Sequence, residues 1–374
     1  MKKITCFLFA CIAFFNLGIV TDGLAQGCVA IRSVGATCNA NGSGGGLLTK
    51  GQWQVSTTYR YFKSYKHFKG RDEQPDRVAN GSEVINHSSS LDVTLIYAYS
   101  SRLNINLNVP LVYNRRSSLY EHGLVNGTNR FNERHSTGSK GLGDIRLSAN
   151  YWLFDPETNQ KGNLSFGLGV KSNSGNYNYQ DNFYNVGENG QQAIRSVDQS
   201  IQPGDGGWGL TVEMQGYRQL FNKVFVYGNA FYLANPRETN GTRTYRETLT
   251  PVLANEAIMS VPDQYMARAG LSYATPLHGL SASLGWRIEG IPVYDLVGGS
   301  GGFRRPGYVT SIEPSLAYMK GRTTLSLNVP VALVRNRTQS VTDKETERLT
   351  GKPRQGDAAF ADYSVSVGFG YRFK

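Results

Sequence analysis

The feature that most constrains this chain is the strict alternation of residues 363–373, YSVSVGFGYRF, which stops one residue before Lys374. Tyr363, Val365, Val367, Phe369, Tyr371 and Phe373 form one continuous apolar face, and Ser364, Ser366, Gly368, Gly370 and Arg372 form the other. A period of two is a strand. Such a strand, at the end of a chain that opens with an export leader, points to a transmembrane antiparallel β-barrel, an all-β fold. Its apolar face would meet the lipid of a diderm outer membrane and its polar face a wet lumen.

The leader spans residues 1–25: Lys2 and Lys3, an apolar run from Ile4 to Val20, then small residues at Gly23 and Ala25 where a peptidase could cut. Beyond it no apolar run approaches the ~18 residues of a helical span, so any crossing must be made by strands. Cys6 and Cys11 belong to the leader, which leaves Cys28 and Cys38 as an exported pair. The intervening VAIRSVGAT carries neither His nor acid, so the pair reads as a local disulfide and not as a metal site. Ala25, Gln26 and Gly27 lack the leucine that marks a lipid-anchored cysteine. Residues 26–50, with NGSGGG as a hinge, form an N-terminal segment, periplasmic or lumenal, ahead of a barrel over 51–374.

The alternation begins at Gln52 and recurs. Leu103, Ile105, Leu107, Val109 and Leu111 face away from Asn104, Asn106 and Asn108, and three asparagines on one face suit a wet lumen. Further segments fall near 52–61, 91–97, 143–154, 162–171, 207–218, 223–234, 263–274, 279–290, 308–319, 322–334 and 361–373, which predicts about twelve strands. Short links near 100–101, 155–161, 220–222, 276–278 and 320–321 alternate with long ones at 64–88, 114–140, 172–206, 235–262, 291–307 and 335–360. This sorting is expected of a barrel with short periplasmic turns and long extracellular loops. A sandwich or propeller has no reason for it. Leu107-Asn-Val-Pro110 recurs as Leu327-Asn-Val-Pro330, and each proline is expected to end regular pairing where a strand leaves the membrane.

The runs GLGDIRLSANYWLFD (141–155) and GLGVKSNSG (167–175) resemble the outer-membrane transporter family named after the MetA pathway of phenol degradation. That family pairs a Gly-x-Gly-Asp strand with a strand ending Lys-Leu-Pro-Thr-Gly. Lys171 and Gly175 keep the ends of the second motif, while Ser172, Asn173 and Ser174 replace its middle. Over residues 141–234 the resemblance implies a barrel and the passage of small, aromatic compounds.

Inward positions bring Arg60, Asp92, Arg146, Lys171, Glu213, Arg268, Arg287, Glu289, Glu313 and Arg372 to the lumen as ten pore-lining residues, and Asp144 shares their inward register. The formal net charge of +11 is not gathered in one basic stripe, which argues against nucleic acid. His67, His87, His122 and His135 fall in long loops and His278 in a short turn, so no strand serine faces a histidine and no enzyme is expected. Asp181, Asp198 and Asp205 match no calcium loop and read as a solvated face. The glycine run 298–302 reads as a mobile outer loop, against a phosphate-cradling nest. No cofactor or metal is implied. The chain is expected to be an outer-membrane channel or facilitated transporter for small, aromatic or anionic solutes. Its partners would be membrane lipid and lipopolysaccharide, the barrel-insertion machinery through the closing strand, and the solute. The alternative is a closed structural barrel acting through its long loops.

Overall fold

The computed structural model describes residues 47–374, apart from 120, 123, 126–127, 130–132, 187–188 and 246–255. The leader and the Cys28–Cys38 pair lie outside the described residues. Twelve antiparallel strands follow in chain order: β1 (Trp53–Lys69), β2 (Ile85–Ala98), β3 (Leu103–Ser118), β4 (His135–Leu142 and Arg146–Trp152), β5 (Gly162–Lys171), β6 (Gly209–Phe221), β7 (Val224–Ala234), β8 (Gln264–Ala274), β9 (Leu280–Ile291), β10 (Gly307–Lys320), β11 (Thr323–Asn328 and Val331–Asn336) and β12 (Ala358–Phe373). Each pairs with its sequence neighbour, and β12 returns to β1 from Trp53↔Phe373 to Tyr61↔Val365, so the sheet closes on itself.

Burial along the strands follows the alternation. In β4, Arg146, Ser148 and Asn150 are buried while Leu147, Ala149 and Tyr151 are exposed. The outside carries Leu168 at 69 % exposure, Leu210 at 58 % and Leu333 at 58 %. Water would penalise a continuous apolar belt of this kind, far larger than the few-hundred-Å² patches of soluble proteins. Lipid would not, and the band is that of an outer-membrane barrel.

On the long-loop side the strands outrun their sequence-predicted ends. β1 continues to Lys69, β2 starts at Ile85, β3 runs to Ser118 and β4 opens at His135. His67, His87 and His135 therefore sit on strands, contrary to the loop placement expected from the pattern, because pairing continues above the apolar band. The prolines do not end their strands either; Pro330 lies in the break of β11, and the strand resumes at Val331. Pro110 lies inside β3, opposite the break in β4, where the Gly143 N–H donates to the Pro110 carbonyl at 2.8 Å. Pro314 in β10 meets the break of β11 in the same way, the Val329 N–H donating to its carbonyl at 3.1 Å. A proline has no donor for the ladder, so the adjoining strand bulges there and then resumes.

The remaining loop residues fold back over the mouth. They form the hairpins Gln180–Val186 with Gln191–Ser196 and Thr239–Arg243 with Ile258–Ser260, and two helices, α1 (Pro75–Ala79) and α2 (Val341–Thr350). α2 starts on a capping box between Ser340 and Asp343 and stops at a left-handed Gly351. Phe68, Val309, Ala332, Ala358 and Phe360 form a small apolar core at this end. At the short-turn end Leu48 packs on Ile96 and Ala98, so the segment before β1 reaches the barrel from that side.

Candidate functional site

The period-two register that carries leucines to lipid carries charges inward, and they meet as a belt across the barrel. Arg287 Nη2 lies 2.7 Å from Glu289 Oε2, and its Nη1 3.6 Å from Glu313 Oε2. Arg268 Nη1 donates to Glu313 Oε1 at 3.1 Å. Arg60, from β1, reaches Glu289 on β9 at 3.5 Å, a contact that spans the lumen. Asp92, Arg146 and Glu213 complete the layer, the last accepting from Asn150 Nδ2 at 3.0 Å. Eight of the ten pore-lining residues expected from the sequence therefore stand in one belt. The other two stand elsewhere. Lys171 lies above the belt on Asp205 and Asp144, and Arg372 is half-buried at the short-turn rim, against Met319 Sδ at 3.1 Å and the Gly321 carbonyl at 3.3 Å.

A cavity lies on each side of the belt. The upper one, toward the long loops, has a volume of about 130 Å³ and the lower one about 60 Å³. Gly368 and Gly370 line the lower cavity, but other inward glycines are crowded. A Cβ on Gly270 or Gly285 would meet the Tyr227 hydroxyl, and one on Gly167 would meet Asn150, so these glycines make room for neighbouring side chains.

The upper cavity is roofed by an in-folded loop whose anchor is the motif that carried the family resemblance. Asp144, from Gly-Leu-Gly-Asp, accepts the N–H of Gly175 on Oδ1 and that of Asp205 on Oδ2, both at 2.9 Å. Lys171 sits between Asp144 and Asp205. A Cβ on Gly204 would come within 2.5 Å of the Gly175 carbonyl oxygen, so the two loop ends meet only through glycine. Gln202, Pro203 and Gly204 are thereby held over the lumen.

The acids of this loop are not solvated, as the sequence suggested, because each has found a partner in the roof. Asp198 takes both Nη atoms of Arg305, at 2.8 and 2.6 Å, and lies 3.6 Å from Arg116. Burial alone would raise its pKa; Arg116 and Arg305 carry it well below the usual carboxylate range. Asp181 accepts the Gly138 N–H at 2.6 Å. The glycine run after β9 is likewise pinned and does hold an anion, but an internal one: the Gly301 N–H donates to Glu238 at 2.8 Å. Arg304 next to it pairs with Asp295 through both Nη atoms.

Among the strand histidines, His67 is committed to structure. His67 Nε2 accepts the Val84 N–H at 2.8 Å, so Nδ1 carries the proton and donates to Asp357 at 2.7 Å. Neither ring nitrogen is left to take a proton from a hydroxyl. Nothing in the residue pattern signals the Asp198–Arg305 pair, whose members are 107 residues apart.

A closed antiparallel barrel with an apolar exterior, a charged lumen and long loops folded over one end is an outer-membrane β-barrel. No protein-family model matches the chain. Among solved structures, an outer membrane channel from Pseudomonas putida F1 aligns at a TM-score of 0.57 and 12 % identity, over 90 % of this chain and 100 % of that one. The β domain of the Bordetella autotransporter BrkA aligns over 87 % of this chain and 100 % of its own, with a TM-score of 0.44 and 14 % identity. The CymD monoaromatic hydrocarbon channel aligns over 94 % and 98 %, with 0.42 and 8 %. The likeness is one of fold, and the Pseudomonas channel carries it. It agrees with the barrel that the 141–234 resemblance implied.

Proposed function

We propose that this chain is an outer-membrane channel for small solutes, with its long loops outside the cell and its short turns in the periplasm. The observation that carries the reading is the pair of cavities stacked along the lumen on either side of the charged belt, inside a fold shared with an outer membrane channel. Solutes enter under the roof loop, pause in the upper cavity and pass the belt when its side chains rearrange. A barrel filled for stability alone would not place two cavities in line.

The rival, a closed barrel acting through its loops, draws support from the Arg60–Glu289 contact across the lumen. Swelling of vesicles that contain the purified barrel separates the two. Passage of members of a panel of sugars, amino acids and aromatic acids is expected. Failure to pass any of them would leave the structural reading. The orientation is tested by a tag after Lys320, which impermeant reagents should not label on intact cells.

A further inference from the structure

The two cavities meet the belt from opposite sides and meet different charges. The upper one is lined by Arg60 and Arg146 and by no carboxylate of the belt, whereas Asp92 and Glu313 face the lower one beside Arg268 and Arg287. Higher on the upper wall stand Lys171 and Arg305 with Asp144 and Asp205, so its lining holds four cations and two carboxylates. Arg60, Lys171 and Arg305 are engaged by Glu289, Asp205 and Asp198, so the cation an entering anion would meet is Arg146.

Arg146 is the cation that the protein leaves least satisfied. It is 6 % exposed, its Nε and Nη1 have no hydrogen-bond partner among the described residues, and Nη2 meets Asn108 Oδ1 only at 3.3 Å. Its guanidinium lies over the Phe231 ring at 5.3 Å. A buried guanidinium with unmet donors is costly, and a carboxylate is the ligand whose planar oxygens match it. The rest of the wall is mixed: Val112, Leu233, Met259 and Ile291 give it an apolar side, and serine, asparagine and glutamine side chains line the remainder. At about 130 Å³ the space compares with the ~150 Å³ apolar cavity that takes up a benzene ring.

We propose that the upper cavity binds a compact organic carboxylate of about one ring in size. Arg146 takes the carboxylate, Arg60 adds charge beside it, and the apolar body lies against Leu233 and Met259. The site rests on the channel reading for its role as a stopping place, but binding is measurable whether or not the barrel conducts.

Calorimetric titration of the full, detergent-purified chain with sodium benzoate should give saturable binding of one molecule per barrel. Benzyl alcohol, the same ring without the charge, should bind at least tenfold more weakly. R146Q should lose this preference and R146K should keep most of it, with heat-modifiable migration reporting that each variant is folded. If R146Q does not fold, R60Q takes its place with the same expectation. Equal affinity for the two ligands in the native chain, or a folded glutamine variant that binds benzoate as tightly as before, overturns the proposal. Vesicle swelling is read separately. A barrel that binds benzoate and passes nothing removes the channel and leaves the site, while one that passes solutes without preferring benzoate does the reverse.

Discussion

His122 shows how closely the roof is packed. It is fully buried, accepts the Tyr184 N–H on Nδ1 at 3.1 Å and stacks on Phe183. Burial, with His135 and Arg116 nearby and Asp181 opposing, pushes its pKa down to about 4. A histidine lowered from ~6.5 on folding binds fewer protons in the folded state, so its contribution is whole above ~6.5 and falls as the pH drops toward the folded value. At ~1.4 kcal/mol per unit this amounts to at most about 3 kcal/mol of local stability. Limited proteolysis of the long loops should therefore be several-fold faster at pH 4.5 than at pH 7.5, and H122N, which keeps an acceptor for Tyr184, should flatten the difference. Equal cleavage at both pH values in the native chain would remove this account. At this scale the sequence was legible in one respect: the period of two told which charges point inward. It could not tell which would pair, because Arg60 and Glu289 meet only once the barrel has closed.

At the scale of elements, the strands were legible and their interruptions were not. The lipid-facing residues repeat every second position, so each strand announces itself. Pro110 and Pro330 were misleading because a proline marks a missing donor without saying whether the strand ends or its neighbour bulges. On the channel reading the roof loop is the element with most consequence for passage, and its anchor is a close approach of two glycines beside Asp144. G204V should break that approach, since any Cβ there meets the Gly175 carbonyl. The barrel should still assemble, while the 172–206 loop becomes sensitive to protease and swelling rates rise at least twofold. A G204V barrel with native loop protection would mean that the anchor lies elsewhere. β12 allows a second prediction. Deleting residues 371–374 removes the pairings of Phe373 with Trp53 and Tyr371 with Val55, and with them the end of the closing ladder. An open edge of this kind pairs with other chains, so heat-modifiable barrel should fall to a small fraction of native yield. Native yield after the deletion would show that the upper part of β12 suffices for closure.

For the whole molecule, the channel reading makes selectivity depend on the balance of the belt, where Arg60, Arg146, Arg268 and Arg287 stand against Asp92, Glu213, Glu289 and Glu313. With the charges equal, a solute meets local fields and no net barrier of one sign. Any single neutralisation leaves a full charge in a narrow passage of low effective dielectric, where it acts at longer range than on the surface. E289Q should accordingly shift the reversal potential in a KCl gradient toward chloride, and R287E should shift it toward potassium. Each single change also leaves a buried partner uncompensated, at about 3–5 kcal/mol, so yields of both should fall. The double variant R60Q/E289Q removes both ends of the cross-lumen contact and keeps the belt neutral. It should recover yield and native selectivity, and its conductance should exceed that of the native barrel because the Arg60–Glu289 tie across the lumen is then gone. Current through the double variant no larger than native would mean that the Arg60–Glu289 contact does not limit passage and that the roof loop does.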